Sequence, residues 1–226
     1  MNKIDLNIID LYILPYLNNK NNIYYINKDF HYLKKKQMLK LNRTFTNKYL
    51  NNYNYRNLIN KYEKVHLNIF NIYLPNFVFS NNILLIKLAH SKSKNLNSIK
   101  NVKNISLICC NNINSLNQLI KVESITITSC DNIKDLSPLK KCKQVFLNKC
   151  NNIFNISSLF NIERIFICEC QNINNFNYLI NAKLLYIYKC DGLINVSIFK
   201  NIQKLHISYC NNITNFKDLN IKNIIF

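Results

Sequence analysis

Apolar residues recur along this chain with a period of twenty. Laid out from Val122, one unit reads V-E-S-I-T-I-T-S-C-D-N-I-K-D-L-S-P-L, with Val122, Ile125, Ile127, Ile133, Leu136 and Leu139 apolar and Cys130 among them. Ile125-Thr126-Ile127 alternates in and out, as a half-buried strand should, whereas Ile133, Leu136 and Leu139 fall at spacing three, which suits a tight helical turn. The unit recurs from Val102, Cys142, Ile162, Ala182 and Ile202, and another copy opens at Ile221 and ends with Ile224 and Phe226. Two looser copies precede these: Ile86 lies 19 residues before Ile105, and Val65 lies 21 residues before Ile86. A fixed period of this size predicts a solenoid. Its strands are expected near residues 65–67, 86–88, 105–107, 125–127, 145–147, 165–167, 185–187, 205–207 and 224–226. At about 4.8 Å between strands, nine strands span about 40 Å, which is one continuous core and not two domains.

Cys110, Cys130, Cys150, Cys170, Cys190 and Cys210 hold one place in successive units. Written L-x-x-L-x-L-x-x-C-x-x-I-x-x-L-x-x-L, the unit resembles the leucine-rich repeat, in a short form with cysteine where many members carry asparagine. The resemblance covers residues 62–226. It implies an α/β repeat solenoid of horseshoe form, with one curved parallel sheet on the concave side and turns with tight helical segments on the convex side. The cysteine ladder has no C-x2-C pairing and no neighbouring histidine, so a metal site is not expected. A buried free cysteine behaves as a small apolar residue. The total of nine is odd, with Cys109, Cys142 and Cys168 outside the ladder. All nine are read as reduced, which points to an intracellular and cytoplasmic protein. After each ladder cysteine comes a polar pair whose second member is Asn112, Asn132, Asn152, Asn172, Gly192 or Asn212. The only glycine of the chain stands where the others have asparagine, and both residues tolerate positive φ. A left-handed turn residue is therefore expected at these six places.

Residues 1–61 follow another rule. Leu6, Ile9, Ile13, Leu14 and Leu17 have helical spacing, as do Ile26, Phe30 and Leu33, with a polar run between them. The stretch Ile13-Leu14-Pro15-Tyr16-Leu17 with Asn27-Lys28-Asp29-Phe30-His31-Tyr32-Leu33 resembles a degenerate F-box. That likeness implies docking of residues 1–40 onto the Skp-type adaptor of a cullin ubiquitin ligase. The alternative is a helical cap covering the open end of the solenoid, which repeat proteins require in any case.

Composition adds a strong charge. The formal net charge is +19, with 12 basic and 4 acidic residues in 1–64 and 18 and 7 in 65–226, so no single block carries it. Such a charge favours acidic partners and nonspecific adhesion to nucleic acid, but no nucleic-acid-binding motif accompanies it. Enrichment in Asn, Ile, Lys and Tyr with scarce Gly, Pro, Ala and Trp is what an AT-rich coding sequence produces. With the repeat type, it resembles the leucine-rich-repeat families of AT-rich insect viruses, the entomopoxviruses, and of AT-rich protists. That resemblance implies capture of a host protein.

No signal peptide, membrane span or cofactor is expected. Asp5 and Asp10 interrupt the apolar start, and the uncharged run 65–86 contains several asparagines and Pro75. His31, His66, His90 and His206 are not arranged with Cys, Asp or Glu as catalytic or metal-binding groups, so an enzyme is not expected. What remains is a binding surface. The outward residues at mid-strand, Phe146, Phe166, Tyr186 and His206, follow Ser106 and Thr126 and are flanked by Arg164, Tyr188 and Lys204. They form a candidate partner-binding row. The apolar end Ile224-Ile225-Phe226 is a candidate self-association edge. A basic nucleic-acid or membrane-surface binder and a purely structural repeat protein are the competing readings.

Overall fold

The computed structural model describes residues 38–214. Its strands are β1 (Met38–Leu41), β2 (Lys64–Phe70), β3 (Ile83–Ala89), β4 (Asn104–Ile108), β5 (Ser124–Thr128), β6 (Gln144–Asn148), β7 (Arg164–Cys168), β8 (Leu184–Tyr188) and β9 (Lys204–Ser208), with helices α1 (Arg43–Asn51) and α2 (Tyr53–Ile59) between β1 and β2. All nine strands pair in parallel, in chain order, in one sheet. This is an α/β solenoid of leucine-rich-repeat type. From β4 onward the register is uniform: Ser106, Thr126, Phe146, Phe166, Tyr186 and His206 are successive partners.

Eight of the expected strands are present as β2 to β9. The ninth, near 224–226, lies outside the described residues, as do the self-association edge and the F-box-like stretch. The sheet also starts earlier than the expected boundary at residue 62, because Leu39 and Leu41 of β1 pair with Val65 and Leu67. Helices α1 and α2 take the place that a short turn occupies in later coils. Asn42 caps α1 and Asn52 caps α2 through their side-chain oxygens. Together they bury Tyr49, Leu50, Tyr55 and Ile59.

The coils from β4 onward are built from the same parts. The strand buries its second and fourth residues, such as Ile125 and Ile127 in β5. The return contains a single 3-10 turn, for example Ser137–Leu139, with Leu136 and Leu139 buried. An oxygen two residues before each turn nucleates it: Asn95, Ser115, Asp135, Asn155, Asn175 and Asn195 each accept the backbone N–H two residues on.

The left-handed residue is not where the asparagine pattern placed it. Asn112, Asn132, Asn152, Asn172, Gly192 and Asn212 lie in turns but none has positive φ. Positive φ falls three residues earlier, at Cys109, Ser129, Lys149, Glu169, Lys189 and Tyr209, with values of 49–55°. The reason lies in the hydrogen bonds. The N–H of the left-handed residue completes the ladder to the next strand, as from Ser129 to the Asn148 carbonyl at 2.9 Å, and its φ then turns the chain off the sheet.

The polar pairs instead tie coil to coil. Nδ2 of the second member donates to the preceding coil, from Asn112 to the Ser91 carbonyl at 3.1 Å and from Asn152 to the Asp131 carbonyl at 2.8 Å. Asn132, Asn172 and Asn212 do the same to Asn111, Asn151 and Asp191. The first member accepts from the coil that follows: Asn111, Asn151, Gln171 and Asp191 receive the N–H of Asp131, Gln171, Asp191 and Asn211. Gly192 has another reason to be glycine. A Cβ there would lie 2.1 Å from the Ile173 carbonyl oxygen.

All nine cysteines are free, and the six of the ladder are buried. They are not merely small apolar residues. Each ladder thiol points at the carbonyl two residues before it, at 3.3–3.6 Å. The Cys130 and Cys210 sulfurs accept the N–H of Cys110 and Cys190 at 3.3 and 3.4 Å.

Candidate functional site

The strand period that buries Val145, Leu147, Ile165, Ile167, Leu185 and Ile187 sends their neighbours to the opposite face of the sheet. In-register pairing then stacks like positions at strand spacing, so four outward residues become one row. Phe146 and Phe166 have ring centroids 5.8 Å apart at 29°, Phe166 and Tyr186 6.3 Å at 35°, and Tyr186 and His206 5.8 Å at 36°. The same column continues as Thr126, Ser106, Lys87 and Asn68, so the rings cover only the β6–β9 half of the face.

The flanking residues fall into two further columns. Arg164 and Lys204 are exposed on either side of Leu184, and Tyr188 lies beyond Tyr186 on the other side of the row. Tyr188 meets Tyr209 edge to face at 5.3 Å, with the Lys189 ammonium 5.3 Å from its ring. Cys168 sits between Asn148 and Tyr188 and is buried although it faces outward. Burial, with Glu169 adding to it, pushes its thiol up to about 11, so it holds its proton near neutrality. All seven predicted partner-binding residues therefore belong to one surface. The ladder cysteines lie in the core and the turn residues lie at the strand ends, away from it.

Two features of this surface were not foreseen. One is a charge ladder along the strand entrances: Lys103, Glu123, Lys143, Glu163 and Lys183 alternate in sign, one per coil. Glu123 is bridged by Lys103 at 2.6 Å and Lys143 at 2.8 Å, and Lys183 meets Glu163 at 2.8 Å. Hydrogen bonds from Lys103 and Lys143 hold the Glu123 carboxyl down at about 2. At the strand exits Lys149 faces Glu169 at 3.7 Å. Aligning the charged residues at the twenty-residue period would have revealed both. The other feature is a second aromatic cluster on the β2–β3 part of the face, where Phe70 meets His90 edge to face at 5.2 Å under the Arg43 guanidinium.

The electrostatics are one-sided. Among the described residues, no outward strand position carries Asp or Glu, and the carboxylates of Glu123, Glu163 and Glu169 at the rim each have a lysine partner. Lys40, Lys87, Arg164 and Lys204 stand on the face itself. Among the described residues no cluster of three His, Cys, Asp or Glu side chains is placed to hold a metal ion, and no helix is long and apolar enough to cross a membrane.

No protein-family model and no curated protein matches this sequence. Two solved structures from Listeria monocytogenes are similar to it. Internalin C2 is 23% identical, with a TM-score of 0.49 over 64% of this chain and 70% of that one. Internalin InlF is 15% identical, with a TM-score of 0.44 over 77% of this chain and 70% of that one. The repeat architecture described above stands on this chain's own sheet, and the likeness carries nothing about ligands.

Proposed function

We propose that this protein is a non-enzymatic interaction scaffold whose outer sheet face, centred on Phe146, Phe166, Tyr186 and His206, receives an acidic segment of a protein partner. The supporting observation is the ring row, set among Arg164, Lys204 and Tyr188 on a face whose described outward strand positions carry no Asp or Glu. Arg and Tyr beside a desolvated aromatic centre is the composition in which binding hot spots concentrate, and charge complementarity selects partners of opposite sign. The rings also speak against a single-stranded nucleic acid. Such ligands stack bases on exposed ring faces, whereas Phe166 and Tyr186 each have a neighbouring ring on both sides along the row. Docking of residues 1–40 onto a Skp-type adaptor, with the captured partner as ubiquitination substrate, is the finer form of this proposal and rests on the sequence alone.

Capture from nuclease-treated cell extract at several salt concentrations tests the reading. The expected outcome is a protein retained by the wild type and lost with Phe166→Ala/Tyr186→Ala and with Arg164→Glu/Lys204→Glu. Retention that disappears on nuclease treatment would assign the face to nucleic acid. Recovery of the adaptor and cullin, lost when Leu14 and Leu17 are changed to Asp, tests the ligase arm separately.

A further inference from the structure

The side of the solenoid formed by the returns carries exposed apolar side chains that the repeat does not require. The residue closing each 3-10 turn is Lys100, Ile120, Lys140, Phe160, Ile180 or Lys200. Three coils place lysine there, so the fold has no need of an apolar group at this position. Yet Ile120 is 63% exposed, Phe160 42% and Ile180 39%. On the same returns, six residues earlier, Phe154 and Ile194 are 58% and 55% exposed, with Lys134 at the equivalent position of another coil. With coils at about 4.8 Å, the closing column is a strip about 24 Å long in which Ile120 and the adjacent pair Phe160 and Ile180 are separated and flanked by lysines.

We propose that this strip is a docking surface for an anionic lipid bilayer, on which the solenoid lies with its partner-binding sheet face turned away. Interfacial membrane segments pair Phe and aliphatic side chains, which enter the headgroup boundary, with lysines that reach anionic headgroups. Lys121 and Lys141 follow the column directly and are exposed. Of the carboxylates on these returns, Asp135 is engaged by the N–H and hydroxyl of Ser137, and Asp131 and Asp191 lie in the turns just after the strands, where Asp191 accepts the Asn211 N–H. Of the residues that protein hot spots favour, arginine, tryptophan and tyrosine, the described returns between Asn112 and Asn201 hold only Tyr178, which is partly buried against the core. Isoleucines give nothing to a nucleic acid, whose binding rests on phosphate charge and base stacking. The surface is independent of the ring row, so the two proposals stand or fall separately.

The test is co-sedimentation of the full chain with phosphatidylcholine vesicles, with and without about 30% phosphatidylserine. Expected is binding to the phosphatidylserine vesicles alone, weakened by added salt. Phe160→Ser/Ile180→Ser and Lys140→Glu/Lys141→Glu should each reduce apparent affinity by about tenfold or more. Phe166→Ala/Tyr186→Ala on the opposite face should bind vesicles as the wild type does. The substituted side chains are exposed, and a far-ultraviolet spectrum like the wild type's confirms the fold. The proposal is overturned by a wild type that stays in solution, by equal binding to both vesicles, or by strip variants that bind unchanged. Binding of polyuridylate that the strip variants abolish, with vesicles left unbound, assigns the strip to nucleic acid and equally overturns it.

Discussion

The residue that sets the character of this solenoid is the ladder cysteine. Its sulfur lies where a coil must satisfy a carbonyl two residues back and, between Cys110 and Cys130, an N–H of the neighbouring coil. A weak donor and acceptor that is otherwise apolar meets both demands without bringing a charge into the core. Burial pushes the Cys142 and Cys190 thiols up to about 12, so they stay protonated and inert. Cys130→Ala should therefore cost about 1–3 kcal/mol, because it orphans the Cys110 N–H. Cys130→Asp should cost about 3–5 kcal/mol through an unpaired buried charge. Urea unfolding at constant slope checks both, and equal midpoints for the two variants would contradict the ladder account. The left-handed residue makes a second test. A non-glycine at this φ costs about 1 kcal/mol, so Ser129→Gly should raise stability by that amount, whereas Asn152→Gly should lower it by about 1 kcal/mol through loss of its bond to the Asp131 carbonyl. The opposite order of melting temperatures would restore the asparagines as the turn residues. The sequence could not show this. Position 129 and its equivalents hold Cys, Ser, Lys, Glu, Lys and Tyr, none of which prefers positive φ, while the informative-looking asparagines are there for hydrogen bonds.

At the scale of elements, the strands from β2 onward and the 3-10 turns that follow β3 to β8 were legible because burial alternates with period two and then three, and each period leaves its trace in Ile, Leu and Val. The strand β1 was not. It is four residues long, Leu39 stands 26 residues before Val65, and two helices replace the usual return, so it falls outside any twenty-residue comparison. The ring row was readable, because parallel in-register pairing converts a fixed repeat position into a contiguous column. The charge ladder was equally present in the sequence but hidden by overall basicity, which draws attention to net charge and away from alternation. This ladder has a pH signature. Glu123 titrates near 2 in the folded chain against an ordinary value of 4.5. A carboxyl with a lowered folded value contributes stability above its unfolded value and loses it as pH falls through the folded one. The difference in melting temperature between wild type and Glu123→Gln should thus be constant above pH 5, shrink between about 4.5 and about 2, and vanish below. Both carboxyl and lysines are exposed, so salt should also reduce it. A difference independent of pH over that window would mean that the bridges contribute nothing.

The whole molecule is held together by neighbours. Strand order equals chain order throughout the described residues, and each coil presents its apolar floor only to the coils beside it. Stability in such a stack is a sum of coil and interface contributions, and regions far apart need not open together. The first described coil carries α-helices in its return: Tyr49 of α1 is fully buried, stacks on Phe79 at 6.1 Å and donates from its hydroxyl to Asn60 Oδ1 at 2.8 Å. Ile165 of β7 is equally buried but has uniform coils on both sides. Tyr49→Ala should cost about 3–5 kcal/mol and Ile165→Ala about 2–5 kcal/mol by loss of buried contacts and the cavity left behind. Their effects should differ in place. Amide exchange followed by mass spectrometry should show Tyr49→Ala losing protection in β1 and β2 while β6 to β9 stay protected. Ile165→Ala should loosen β6, β7 and β8 together, because its cavity weakens the interfaces on both sides of one coil. That variant should also lose partner capture by the ring row, since Phe146, Phe166 and Tyr186 are carried by those strands, whereas Tyr49→Ala should keep it. Uniform loss of protection from β1 to β9 in both variants would show that the chain unfolds as one unit and that the row has no local stability of its own.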